Sequence, residues 1–232
     1  ATVAQLVAVN AANGGAITLD VTNGALSGTA ADLAAAFNGT ITGYTGALTV
    51  TDQATVAQLV AINAATNAAI VLDVTSGALT GSAANLVSAF AGTITAYTGA
   101  LTFSDAHNLA QLVAVNNATS GAIGFNDNTV TLSGSSADVA AALDGTTYNA
   151  AVTLTDQATV AQLVAVNAAN AGAITLNVTN GALSGTAADL VSAFNGTITG
   201  YTGAITVTDQ PTLAQLVAIN AATSGAIVLD VV

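Results

Sequence analysis

The chain contains no lysine, arginine, glutamate, cysteine, methionine or tryptophan, and only one proline and one histidine. These absences exclude whole classes of function. With no basic side chain there is nothing to neutralise phosphate, so nucleic-acid binding is excluded. An anionic membrane surface is disfavoured for the same reason. With no cysteine there is no disulfide staple. All twelve charges are aspartates, giving a net charge of −12. Charged residues make up 5% of the chain, against about 25% in an ordinary soluble domain. Mean hydropathy is high, +0.70, yet Thr, Asn, Asp, Ser or Gly breaks every apolar run well before the roughly 18 residues a membrane span needs. The chain opens with neither an initiator Met nor the basic start and apolar core of a signal peptide. It reads as a processed product or a fragment.

What is present is one motif, repeated. The pair Gln-Leu recurs at Gln5, Gln58, Gln111, Gln162 and Gln215, at spacings of 53, 53, 51 and 53. "GALSGTAADL" occurs at 24–33 and 181–190, and "NGTITGYTGA" at 38–47 and 195–204. The short unit carries a local deletion: Gly39 to Tyr44 is five steps, Gly145 to Tyr148 three. The 232 residues divide into copies at about 1–53, 54–106, 107–157 and 158–210, with a partial copy at 211–232. They read as a single array with no linker.

Each copy holds two strand–helix passages. In "ALTVTDQATVAQLVAINAA" (47–65), Leu48 and Val50 alternate with Thr49 and Thr51, the periodicity of a strand. Asp52 stands where a helix N-cap is expected, and Pro211 in the last copy suits a first helical turn. Val56, Leu59, Val60 and Ile62 form an apolar stripe, and Asn63 stops the helix. In "AIVLDVTSGALTGSAANLVSAFAG" (69–92), a β-rich run from Ile70 to Val74 leads through a Ser-Gly turn to a second helix. Thr29 with Asp32, Ser135 with Asp138 and Thr186 with Asp189 have capping-box spacing. Leu33, Ala36 and Phe37 form the inner stripe, and Gly39 ends the helix.

No single passage buries both of its apolar faces, whereas stacked copies do. The expected fold is an α/β repeat protein: an elongated β/α solenoid of about 53-residue units, each with two strand–helix coils and a parallel sheet on one side. A globular α/β fold built by duplication is the alternative.

The polar residues recur in register. Asp52, Asp105, Asp156 and Asp209 are either a carboxylate row for Ca²⁺ or helix caps. Asp20, Asp73, Asn126, Asn177 and Asp230 exchange Asp for Asn, which suits a turn better than a charge-dependent site. "FNDNTV" offers Asn126, Asp127 and Asn128 as a candidate metal loop, although a Ca²⁺ site needs six to eight oxygens. No cofactor is required, and Ca²⁺ is the one the carboxylates admit. Asn10, Asn63, Asn116, Asn167 and Asn220 suggest a stacked amide ladder. Tyr44, Tyr97, Tyr148 and Tyr201 suggest stacked aromatic packing or, alternatively, contact with carbohydrate. Thr49/Thr51, Thr102/Ser104, Thr153/Thr155 and Thr206/Thr208, with Thr40/Thr42, Thr93/Thr95 and Thr197/Thr199, form T-x-T rows like those of ice-binding β-solenoids, or simply a strand face that avoids charge. The lone His107 makes no triad, there is no Cys/His metal spacing, and "GYTG" is no phosphate loop. No catalytic residue is assigned, and the chain is read as a non-enzyme.

The stretches "VTDQATVAQLVAINAAT" (50–66) and "SGTAADLVSAFNGTITGYTGAITVTD" (184–209) resemble repeat regions of giant bacterial extracellular and cell-surface proteins, notably of marine cyanobacteria and proteobacteria. The resemblance covers essentially the whole chain. It implies an exported structural or adhesive role at the cell surface. The expected function is a structural protein of an extracellular filament, sheath or surface layer, self-assembling by stacked repeats. An adhesin stalk or carbohydrate-binding module that meets surface polysaccharide, and ice binding, are the alternatives. Neither membrane insertion nor nucleic acid enters any version. The opening "ATVAQLVAVNAAN" (1–13) lacks the "TLTDQ" that precedes its second occurrence at 158–170, so its helix is expected to fray. The start reads as a cut through a longer array or as a docking end.

Overall fold

In the computed structural model every residue is described except 21, 39, 40, 42, 43, 93, 95, 196, 197, 199, 231 and 232. The first copy forms α1 (Val3–Ala12), β1 (Leu26–Gly28), α2 (Ala30–Ala36) and β2 (Leu48–Val50). The second forms α3 (Val56–Ala65), β3 (Ile70–Leu72), β4 (Leu79–Gly81), α4 (Ala83–Ala89) and β5 (Leu101–Phe103). The third forms α5 (Leu109–Asn116), β6 (Ile123–Phe125), β7 (Leu132–Gly134), α6 (Ser136–Leu143) and β8 (Val152–Leu154). The fourth forms α7 (Val160–Ala169), β9 (Ile174–Leu176), β10 (Leu183–Gly185), α8 (Ala187–Ala193) and β11 (Ile205–Val207). The partial copy adds α9 (Leu213–Ala222) and β12 (Ile227–Leu229).

The fold is α/β, with four small parallel sheets alternating with helices. A full copy has three strands, not the two read from the sequence. The extra strand is the "LSG" or "LTG" triplet, which looked like part of a Ser-Gly turn. The strands form four three-stranded sheets, β1-β2-β3, β4-β5-β6, β7-β8-β9 and β10-β11-β12, in place of one continuous sheet. Within each sheet the partner lies 22 residues on: Leu26 pairs with Leu48, and Leu48 with Ile70. The offset falls to 20 where Leu132 pairs with Val152, because the two-residue deletion lies in that connection. In the first copy 17–19 is not a strand, so that copy contributes two strands, β1 and β2.

The chain divides into two compact units, Ala1–Ala106 with Asn117–Asn126, and His107–Asn116 with Asp127–Val232. The first unit contains two sheets and α1 to α4, each helix packed on the next. The second contains the other two sheets and α5 to α9, packed in the same way. In β1 to β11 the first residue is buried and the middle one more exposed, and Leu48, Leu101, Val152 and Ile205 are fully buried. Leu33, Leu59 and Ile62 complete the core of the first unit and Val139, Leu163 and Val166 that of the second.

The helix starts also differ from expectation. The first helix of each copy is capped by Thr55, Thr159 or Thr212, and Gln58, Gln162 or Gln215 closes a full capping box. In the third copy Asn108 and Gln111 exchange the same pair of bonds, both at 3.0 Å. Pro211 therefore lies before the cap, outside the helix, and Asn63 lies within α3. The first helix of the chain does not want for a cap: Thr2 and Gln5 form the same box. Gly39, read as the end of α2, lies outside the described residues.

Candidate functional site

The recurrent polar residues tie one strand–helix passage to its neighbour. Asp52 does not cap the helix that follows it. Its Oδ1 accepts the N–H of Ala30, the first residue of α2, at 2.7 Å. Asp105 does the same for Ala83, and Asp209 for Ala187, also at 2.7 Å. Asp156 accepts both the N–H and the hydroxyl of Ser136, and the backbone bond, then the hydroxyl, holds its carboxyl below the usual range. Each carboxylate thus sits at the positive end of the helix preceding its strand, about 22 residues back. The N3 aspartates give only half a box: Thr186 accepts the N–H of Asp189 and donates its own hydroxyl to that carboxylate at 2.8 Å.

The Asn row acts at the opposite helix end. Asn63 donates to the carbonyl of Ser88 at 2.8 Å, and Asn167 to those of Ser192 and Asn195 at 2.9 and 3.0 Å. Asn10 reaches Ala35, and Asn116 reaches Ala141 and Asp144. The amides cap the C-terminus of the next helix, whose last carbonyls lack partners of their own. Asp and Asn together therefore close both ends of the short second helices. Asp156→Ala is expected to lower stability at pH 7, because the Ser136 N–H and hydroxyl lose their acceptor. Because the folded carboxyl titrates below the unfolded one, its contribution is lost as pH falls through the folded value, and the gap to wild type should narrow below about pH 4. Urea midpoints of both proteins at pH 7 and pH 3 check this.

The tyrosines are core residues. Tyr44, Tyr97, Tyr148 and Tyr201 are between 0 and 3% exposed, so a sugar cannot reach them. They do not stack on one another: Tyr97 meets Phe90 at 5.1 Å and 55°, and Tyr44 and Tyr201 meet Phe37 and Phe194 alike. Each phenol donates to a backbone carbonyl about 20 residues back: Gly24, Gly77, Val130 and Gly181. In the second and fourth copies Gln53 and Gln157 also hydrogen-bond the phenols of Tyr97 and Tyr201. Burial raises the pKa of all four, that of Tyr148 to about 12 through desolvation first and Asp127 second.

The remaining candidates do not converge on one site. Asp127 accepts the N–H and hydroxyl of Thr129 at 3.1 and 2.6 Å, which holds its carboxyl low. Asn128 accepts the N–H of Asn149, and the side chain of Asn126 is exposed. Two of the three candidate metal ligands thus have protein donors. Among the described residues no three His or Asp side chains are placed to hold a metal ion. Asp20, Asp73, Asn177 and Asp230 are exposed like Asn126. The row of Thr49 runs Ser27–Thr49–Val71, and that of Thr206 runs Ser184–Thr206–Val228. No flat threonine array is built there, because the T-x-T copies fall in different sheets. Thr40, Thr42, Thr93, Thr95, Thr197 and Thr199 lie outside the described residues. Also among the described residues, no helix is long and apolar enough to cross a membrane. Comparison with protein-family models, with curated proteins and with solved structures finds no match.

Proposed function

We propose that this is a non-enzymatic structural protein of an extracellular filament, sheath or surface layer, in which the 53-residue repeats continue one upon another as an elongated β/α solenoid. The observation that carries this reading is the clamp set. Asp52, Asp105, Asp156 and Asp209 each hold the start of a neighbouring helix, and Asn10, Asn63, Asn116 and Asn167 each hold an end. Recurrent side chains are thus committed to holding the strand–helix passages of each copy against one another. That commitment supports a structural role over a catalytic one, since Asp52, Asp105, Asp156 and Asp209 are engaged at helix ends.

The surface agrees with further stacking. Leu213 and Val217 on α9 are 77% and 62% exposed, whereas Val56 and Val160, which correspond to Leu213, are 7% and 8% exposed. The match we propose for this apolar strip is a repeat of a neighbouring chain. Unlike ends joined head to tail propagate as filaments, and a surface poor in charge resists association weakly. Negatively stained material at high concentration is expected to show unbranched fibres, and Leu213→Asp with Val217→Asp to abolish them without loss of circular dichroism. Wild-type protein that stays monomeric at those concentrations would refute the assembly.

A further inference from the structure

Asparagine is followed by glycine at Asn13, Asn23, Asn38, Asn180 and Asn195. Such a pair can close on itself, the glycine nitrogen attacking the asparagine carboxamide with no side chain on the glycine to obstruct it. Closure needs a free carboxamide and a free amide nitrogen. At Asn13 the carboxamide is occupied: Oδ1 accepts the N–H of Gly15 at 3.3 Å, and Nδ2 donates to the Gly15 carbonyl at 3.0 Å. Gly39 and Gly196 lie outside the described residues.

Asn23 and Asn180 differ. They hold the same place in the first and fourth copies, just before β1 and β10, and both are exposed and outside helix or strand. Among the described residues neither carboxamide has a hydrogen-bond partner, and neither Gly24 nor Gly181 donates its N–H. The next carbonyl in each case is the acceptor of a buried phenol, Tyr44 at Gly24 and Tyr201 at Gly181. The second and third copies have Ser76-Gly77 and Thr129-Val130 there, and keep the phenol contact without the carboxamide.

We propose that Asn23 and Asn180 are sites of spontaneous modification, passing through a succinimide to aspartate and isoaspartate, and that the isoaspartyl form releases the buried tyrosine of its copy. In the first step the Gly181 nitrogen bonds to Cγ of Asn180, and the carboxamide nitrogen takes up the displaced proton and leaves as ammonia. Water then adds to either ring carbonyl and opens it. Water is the nucleophile because the chain has no Lys or Cys side chain to compete, and no oxidant or reductant enters. Opening at Cγ gives aspartate and restores the main chain. Opening at the backbone carbonyl gives isoaspartate, which routes the main chain through Cβ and lengthens it by one methylene next to Gly181. The Gly181 carbonyl has no slack to absorb this, since Gly203 packs on it with no room for a Cβ. Displaced, the carbonyl leaves a buried hydroxyl without its acceptor. Gly46 packs on the Gly24 carbonyl in the same way.

The test is storage of the folded full chain in warm buffer at pH 8, followed on peptic fragments by mass spectrometry, with isoaspartate identified by electron-transfer fragmentation. Conversion at Asn23 and Asn180 is expected to run about tenfold faster than at Asn13, whose hydrogen bonds must open first. Equal rates at the three positions, or Asn13 converting first, overturn the assignment. Hydrogen exchange then reads the consequence. The purified isoaspartyl-180 form should lose about tenfold of its protection around Tyr201, the cost of one unmet buried partner. Asn180→Asp, which adds the charge without the methylene, should keep it, and Asn180→Ser should keep it before and after storage. An isoaspartyl form as protected as fresh protein overturns the release of the tyrosine, and so does an equal loss in Asn180→Asp.

Discussion

Gly99→Ala is expected to lower stability by about 3 kcal/mol or more, and Gly77→Val by about 1–3 kcal/mol, with Gln53→Ala returning most of the second loss and none of the first. The difference lies in what each new Cβ would meet. At Gly99 it would sit 2.1 Å from the carbonyl oxygen of Gly77, which is backbone held in the stack of passages. Relief requires the passages to move apart. At Gly77 the obstacle is the Gln53 carboxamide, 1.7 Å away. That group is the end of a flexible side chain and can swing aside, but only by leaving the buried phenol of Tyr97, and a buried group that loses a partner costs about 1–3 kcal/mol. The repeat already contains the compensated combination, for Val130 stands in the place of Gly77 where Ala106 stands in the place of Gln53. A double-mutant cycle on Gln53 and Gly77, read by urea unfolding, should give a coupling of at least about 1 kcal/mol. Additive losses would show that Gln53 does not fill the space.

That coupling could not be read from one copy, but a comparison of copies does show it, since the two positions change together. Other features were legible at once. The 53-residue period, the presence of two helices in each full copy and the inward Leu33, Ala36 and Phe37 follow from spacing alone. The third strand was not legible. Leu-Ser-Gly has neither the length nor the alternation of a strand, and it becomes one only by pairing with a segment 22 residues away. Its glycine lets the helix pack close, for Val56 approaches to 3.0 Å of where a Cβ on Gly81 would stand.

The caps divide in the same way. Thr55-x-x-Gln58 is a local signature, present in the sequence and overshadowed by the more obvious Asp52. The Asp52–Ala30 bond is not local and leaves no trace in spacing except its recurrence. Recurrence shows that a residue matters to every copy but not what it touches, so the Asp and Tyr series were open to ligand readings and the Asn series to a stacked ladder. Geometry then placed Asp52, Asn63 and Tyr97 on backbone groups of neighbouring passages.

Above pH 10 the fold is expected to fail cooperatively, with all four tyrosines ionising as it does. Composition makes this window clean. With no Lys, Cys or Arg, the four tyrosines are the only side chains left to titrate. Each is buried with its hydroxyl proton given to a carbonyl. Ionisation would remove that proton and set a phenolate against carbonyl oxygen, in a chain already carrying twelve negative charges. The folded pKa is raised in all four, for Tyr148 from 10.0 to about 12. Between those values the unfolded chain has lost protons that the folded chain retains, so stability falls as pH rises. At about 1.4 kcal/mol per unit, Tyr148 alone accounts for a loss of about 3 kcal/mol across the window, and the others add to it. Tyrosinate absorbance and far-ultraviolet circular dichroism followed together should change in one transition centred above pH 11. Tyrosines that ionise near pH 10 while the circular dichroism holds would mean that the phenols are not buried, and the core described here would have to be redrawn around them.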